Sequence, residues 1–161
     1  MKTVYVRNII FGVTDSLIST MGLLSGVDAS GSSHEAIIAT GLVYAFVESL
    51  SMAVGSFLSE EAAEEFVTKR ERRSTTPIVA GAVIFLSCLF SAFIPLLPYM
   101  LINSAYSLWI SILLSLVTLF IVGLIIARYS KVKMLQHATK MVILGGAAIL
   151  IGAAVGKYIH V

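Results

Sequence analysis

Apolar residues fall into five blocks along this chain, each close to twenty residues long and separated from the next by a short polar stretch. The blocks run over Ile9–Val27, Glu35–Leu58, Pro77–Leu97, Ala105–Ala127 and Thr139–Ile159. A helix needs about 20 apolar residues to cross a hydrocarbon core of roughly 30 Å. The pattern therefore predicts an all-α membrane protein, with five transmembrane helices forming one domain over residues 1–161. Between the blocks lie a Gly/Ser-rich turn (DASGSSHE), a charged stretch (SEEAAEEFVTKRERRSTT), a Pro-bounded turn (PLLPYMLINS) and a basic turn (RYSKVKMLQH). The first block does not read as a cleaved signal peptide, because it carries Asp15 and ends in GVDASG, a poor cleavage site.

Small residues recur at four-residue spacing within the blocks: Gly22 and Gly26 in the first, Ser51, Gly55 and Ser59 in the second, Ala148, Gly152 and Gly156 in the fifth. In lipid, helices associate through close backbone approach, which such residues permit. The spacing predicts a tight bundle and leaves room for a dimer.

Composition agrees with the pattern. The chain is 58% hydrophobic and 12% charged, about half the charged fraction of a soluble domain, and its mean hydropathy is +0.96. The lone Cys88 allows no internal disulfide and fits no metal-ligand spacing. Charge distribution sets an orientation. With the N-terminus in the cytoplasm, Lys2, Arg7, Lys69, Arg70, Arg72, Arg73, Arg128, Lys131, Lys133 and Lys140 face inward and only Lys157 faces out, as the positive-inside rule requires. Five spans then put the C-terminus outside. Tyr99, Tyr106, Trp109 and Tyr158 fall near the outer interface, Tyr5 and Tyr129 near the inner one. The basic cluster Lys69–Arg73 is the inside signal, with anionic lipid headgroups as its partners and not nucleic acid. The sequence holds no nucleophile–base pair, phosphate loop or CxxC, so neither an enzyme nor a bound cofactor is expected.

Seven of the nine acids belong to the connecting stretches: Asp28 and Glu35 to the outer turn, Glu60, Glu61, Glu64, Glu65 and Glu71 to the inner one. Asp15 and Glu48 alone fall within spans. A charge at the bilayer centre costs about 2.5–3.5 kcal/mol on insertion scales, and intramembrane ionisable residues mark ion pathways. No Lys, Arg or His shares a span with either acid in a position to pair. One plain reading is a protonated carboxyl hydrogen-bonded to a nearby Ser or Thr; the other is a cation site. Met52 follows Glu48 by four residues and so shares its helix face. Oxygen and sulfur donors together suit a late first-row divalent ion better than calcium or magnesium, although a methionine in a span commonly serves packing. His34, His137 and His160 fall in turns or at the tail and read as solvated. Glu60/Glu64 and Glu61/Glu65 read as a solvated helix end continuing the second span, with Glu65 four residues before Lys69.

Three stretches carry a family resemblance. VRNIIFGVTDSLISTMGLLSGV, GLVYAFVESLSMAVGSFLS and TTPIVAGAVIFLSCLFSAFIPLLPYML resemble, in order, the first three helices of the vacuolar iron transporter family; the last two helices fit less specifically. The resemblance implies export of ferrous iron, often manganese too, from the cytosol in exchange for protons. It also implies five helices per chain and a homodimer with the ion path between protomers. Asp15 stands at the family's aspartate on the first helix and Met52 at its methionine on the second, both on the path. The chain departs from the pattern at Asn8, where an aspartate is usual, at Ser16, where glycine is usual, and at Tyr44, where many members have a glutamate; Glu48 comes one turn later. The long helical metal-binding insertion of many members is missing, since Ser59–Thr76 spans only 18 residues.

Residues and resemblance together lead to a secondary transporter of divalent metal ions with Asp15, Glu48 and Met52 as metal ligands. Thr14, Ser16 and Ser19 line or support its path. Its partners are membrane lipids and a second copy of itself, and its setting is a multi-pass protein of a prokaryotic plasma membrane. The alternative is a membrane scaffold or metal sensor that keeps the fold without the route.

Overall fold

The computed structural model describes residues 2–69, 75–102, 106–131 and 133–159. These form five helices and, among the described residues, no strand: α1 Lys2–Ala29, α2 His34–Thr68, α3 Thr76–Leu101, α4 Ser107–Ser130 and α5 Met134–Ile159. Each is long and apolar enough to cross a membrane. Short links make consecutive helices antiparallel, so the start of α1 and the end of α5 lie at opposite ends of the bundle. α1 is central and touches all four other helices. The outward surface is apolar, with Val43, Phe90 and Leu150 each more than 60% exposed, which costs nothing in lipid. Five apolar helices of this kind make an integral, multi-pass membrane protein.

The helices outrun the apolar blocks because a helix continues into the headgroup region wherever nothing stops it. α2 gains ten residues beyond Leu58 and carries Glu60, Glu61, Glu64 and Glu65 on its last turns, as expected. The link between α1 and α2 is short: Gly31 adopts φ 83°, where a side chain would be strained, and the Ser33 hydroxyl caps α2 by accepting from the Ala36 N–H at 3.3 Å.

Four expectations are corrected. The Pro-bounded turn is helix: α3 passes through Pro95 and Pro98 before ending at Leu101. Proline removes a backbone donor and loosens the ladder, which membrane helices tolerate; in this stretch the Ser111 hydroxyl of α4 donates to the Pro95 carbonyl and ties α4 to α3. His34 opens α2 and His137 lies in the first turn of α5, so neither occupies a turn. Tyr99 is not an interfacial anchor but a core residue, 1% exposed, whose hydroxyl donates to the Asp28 carboxylate at 3.0 Å. The ion pair among the described residues is Arg7–Glu60, not Glu65–Lys69, because Lys69 leaves the helix at φ 50° and its side chain departs from helical register. Arg70, Glu71, Arg72, Arg73, Ala105 and His160 lie outside the described residues.

The glycine prediction holds for α1 and α5. A Cβ built on Gly152 would stand 2.0 Å from the Gly22 carbonyl oxygen, and one on Gly156 would stand 1.9 Å from that of Gly26. The two backbones are in direct contact. On α2 the stripe has no such role within the chain: a Cβ on Gly55 would meet nothing within 4 Å, and Ser51 and Ser59 are exposed.

Candidate functional site

Four residues separate Asp15 from Ser19 on α1, and four separate Tyr44 from Glu48 on α2. Each pair is one helical turn apart and shares a face. The packing of α1 on α2 turns these faces together. The Tyr44 hydroxyl donates to Glu48 Oε1 at 2.9 Å, and the Ser19 hydroxyl donates to the same oxygen. Glu48 Oε2 is buried and has no hydrogen-bond partner. Asp15 lies within electrostatic reach of Glu48 and is only partly buried. No basic side chain pairs with either acid among the described residues.

Met52 is placed differently from the two acids. It lines a cavity of about 630 Å³ together with Arg7, Asn8, Phe11, Ser56 and Ser59, at the end of the bundle where α1 begins, and neither acid is part of that lining. The structure thus brings Asp15 and Glu48 together and sets Met52 one turn away. Among the described residues no three His, Cys, Asp or Glu side chains cluster as a metal site would require.

The hydroxyls divide in their duties. Ser19 joins the Glu48 site. Thr14 donates back to the Ile10 carbonyl of its own helix at 2.7 Å. Ser16, fully buried, gives its one proton to the Cys88 carbonyl of α3 at 2.9 Å. Both therefore brace the backbone. Asn8, 4% exposed, donates from Nδ2 to Ser56 Oγ at 2.8 Å and to the Ala80 carbonyl at 3.2 Å, tying α1 to α2 and α3. An aspartate cannot make those donations. The role of Tyr44 as a donor to Glu48 is legible in sequence only as a four-residue spacing, which the presence of Tyr at a position usually held by glutamate obscured.

The sequence profile of the VIT family matches this chain over residues 6–76 and again over 64–157. The chain belongs to the VIT family. Among individual relatives of this VIT protein, an uncharacterized protein of Methanocaldococcus jannaschii, MJ0645, is 28% identical over 157 residues, covering 84% of this chain and 80% of the relative. Vacuolar iron transporter 1 of Arabidopsis thaliana is 28% identical over 75 residues, which is 47% of this chain and 30% of the plant protein's length. Within this VIT chain the two matched stretches overlap on residues 64–76, the connection between α2 and α3, where α2 runs out as the helix carrying the four glutamates.

Proposed function

We propose that this VIT-family protein carries a divalent transition-metal ion, ferrous iron or manganese, out of the cytosol in exchange for protons. One observation carries the reading: two carboxylates on neighbouring helices lie within electrostatic reach of each other without a basic partner among the described residues, and an oxygen of one of them is buried and unpartnered. A buried polar group in that condition calls for a ligand or a function, and the name of the plant relative points to iron. Asp15 and Glu48 supply the charge that offsets an ion's desolvation, and Met52 supplies a softer donor beside the route. Metal binding requires deprotonated carboxylates, so the same groups bind protons when the ion has left.

Three such side chains are few for an ion that takes four to six ligands. A second copy across a two-fold axis doubles the set. The face of α2 at Ser51, Gly55 and Ser59 borders the Met52 cavity and is unfilled at Gly55, where a Cβ would meet nothing within 4 Å; that supports a homodimer built there. The archaeal relative supports a prokaryotic plasma membrane, and the inward-facing basic residues support a cytosolic start of α1; a cysteine placed at the C-terminus that reacts from the cytosolic side would reverse that orientation.

The test is uptake of iron and manganese into proteoliposomes under an imposed proton gradient. Asp15→Asn keeps the shape and removes the charge, so flux collapses while expression persists. Glu48→Gln is nearly as severe. Met52→Leu is milder and shifts preference toward manganese. Wild-type flux from Asp15→Asn would leave that carboxyl a hydrogen-bonded structural acid, and absence of flux from the wild type would favour a scaffold or sensor.

A further inference from the structure

A carboxylate has two oxygens with about two acceptor positions each. In Glu48 these are used unequally. Oε1 accepts from both the Tyr44 and the Ser19 hydroxyls, which fills its acceptor positions. Oε2 is buried and has no donor among the described residues, because the nearby Ser16 hydroxyl gives its proton to the Cys88 carbonyl. The two donors come from different helices, so the orientation of the carboxylate is fixed by the packing of α1 on α2 and not by the Glu48 rotamer alone.

We infer that Tyr44 and Ser19 set the metal selectivity of this protein by holding Glu48 to one-oxygen coordination through Oε2. The inference rests on Glu48 being a metal ligand. The chemistry follows from ion size and coordination number. Calcium takes 6–8 oxygens at 2.3–2.6 Å and commonly uses both oxygens of a carboxylate. Smaller transition ions are content with fewer donors and tolerate a softer one. A glutamate that can offer one oxygen is therefore a poor calcium ligand and an adequate iron or manganese ligand. Neither hydroxyl needs to touch the ion. Each acts through Glu48 as a positioning residue. A residue that simply shortened or removed Glu48 would lose both classes of ion. Removal of the donors does something different: it frees Oε1, and a larger ion gains a second contact.

The experiment is manganese uptake into proteoliposomes with calcium as competitor, comparing wild type with Tyr44→Phe, Ser19→Ala and the double variant. Phe keeps the ring and its packing, and Ala in place of Ser leaves the helix intact. In the double variant the calcium concentration that halves manganese uptake falls at least fivefold, while the KM for manganese changes less than threefold; each single variant falls between. Tyr44→Phe alone decides the question if the double variant does not fold. Calcium inhibition unchanged from wild type, or calcium and manganese affinities weakened in equal proportion, overturns the inference and leaves the hydroxyls as structural braces. Manganese uptake unchanged in Glu48→Gln overturns the ligand reading beneath it, which separates the two failures.

Discussion

Replacing Gly156 or Gly152 by alanine puts one carbon where α1 and α5 touch backbone to backbone. The added Cβ would lie 1.9 Å from the Gly26 oxygen at Gly156 and 2.0 Å from the Gly22 oxygen at Gly152. Ordinary contact begins at 3.4 Å, so the helices must part by about 1.4 Å. No flexible side chain can yield, because the obstructing atoms are carbonyls. Overpacking of this kind costs about 1–3 kcal/mol, with the upper half of that range expected where backbone must move. Against it stands the gain of about 1 kcal/mol from alanine's better helix propensity. The net expectation is a loss of about 1–2 kcal/mol for each variant. The double variant loses less than the sum, since helices already parted by one methyl admit the second at lower cost. Gly146→Ala is the control, because a Cβ there would meet nothing within 4 Å; it is neutral or slightly stabilising. Gly145→Ala meets the Leu119 side chain at 2.5 Å, which can rotate away, so its loss is smaller than at Gly152. Equilibrium unfolding in mixed detergent, followed by loss of helical circular dichroism, reads all four. Gly152→Ala as stable as Gly146→Ala would refute the direct backbone contact.

Two further outcomes are expected. Asn8→Asp restores the usual family residue and yet destabilises by about 1–3 kcal/mol, because the Nδ2 donation to the Ala80 carbonyl becomes an oxygen–oxygen repulsion at a buried position, while the Ser56 hydroxyl can turn and donate; thermal unfolding of the purified variant checks this, and an unchanged midpoint would rule out the tie. Replacing Glu60, Glu61, Glu64 and Glu65 by glutamine leaves metal flux measurable, since these side chains lie on the end of α2 beyond its apolar stretch and, among the described residues, the ion pair there is Glu60 with Arg7; complete loss of flux in a folded protein would move the ion's first binding step onto that helix end.

The fold was legible because lipid rewards a simple signal. Length and hydropathy alone found the five helices, and the spacing of Gly22, Gly26, Gly152 and Gly156 marked the contact of α1 with α5. What misled were local signs calibrated in water. Pro95 and Pro98 read as a turn, yet a membrane helix has no competing solvent to pull its backbone open and continues through both. His34 and His137 sat at block edges and read as turn residues because apolar blocks stop before helices do. At the candidate site, Asp15 and Glu48 stand out in the sequence as the two acids within spans, and the packing of α1 on α2 leaves them within electrostatic reach. The donors to Glu48 did not follow, because they depend on the rotation of α1 against α2, which no single helix pattern contains. Met52 stands one helical turn from Glu48, as the spacing predicts, and lines a cavity that neither acid borders.

The division of hydroxyls into those bonded to their own helix and those bonded to another bears on how the chain assembles in the membrane. Thr14, Ser49, Ser87, Thr118 and Thr139 each donate to the carbonyl four residues earlier, so they enter lipid already satisfied. Asn8 and Ser16 of α1 have their partners on later helices, and the partners on α3, Ala80 and Cys88, each follow by 72 residues. At a synthesis rate of about 5–20 residues per second, these two side chains wait roughly 4–14 s for their partners on α3. During that interval α1 carries an amide, a hydroxyl and the carboxyl of Asp15 with no bundle around them. The first helix to be made thus satisfies the Asn8 and Ser16 side chains fully only when α3 arrives.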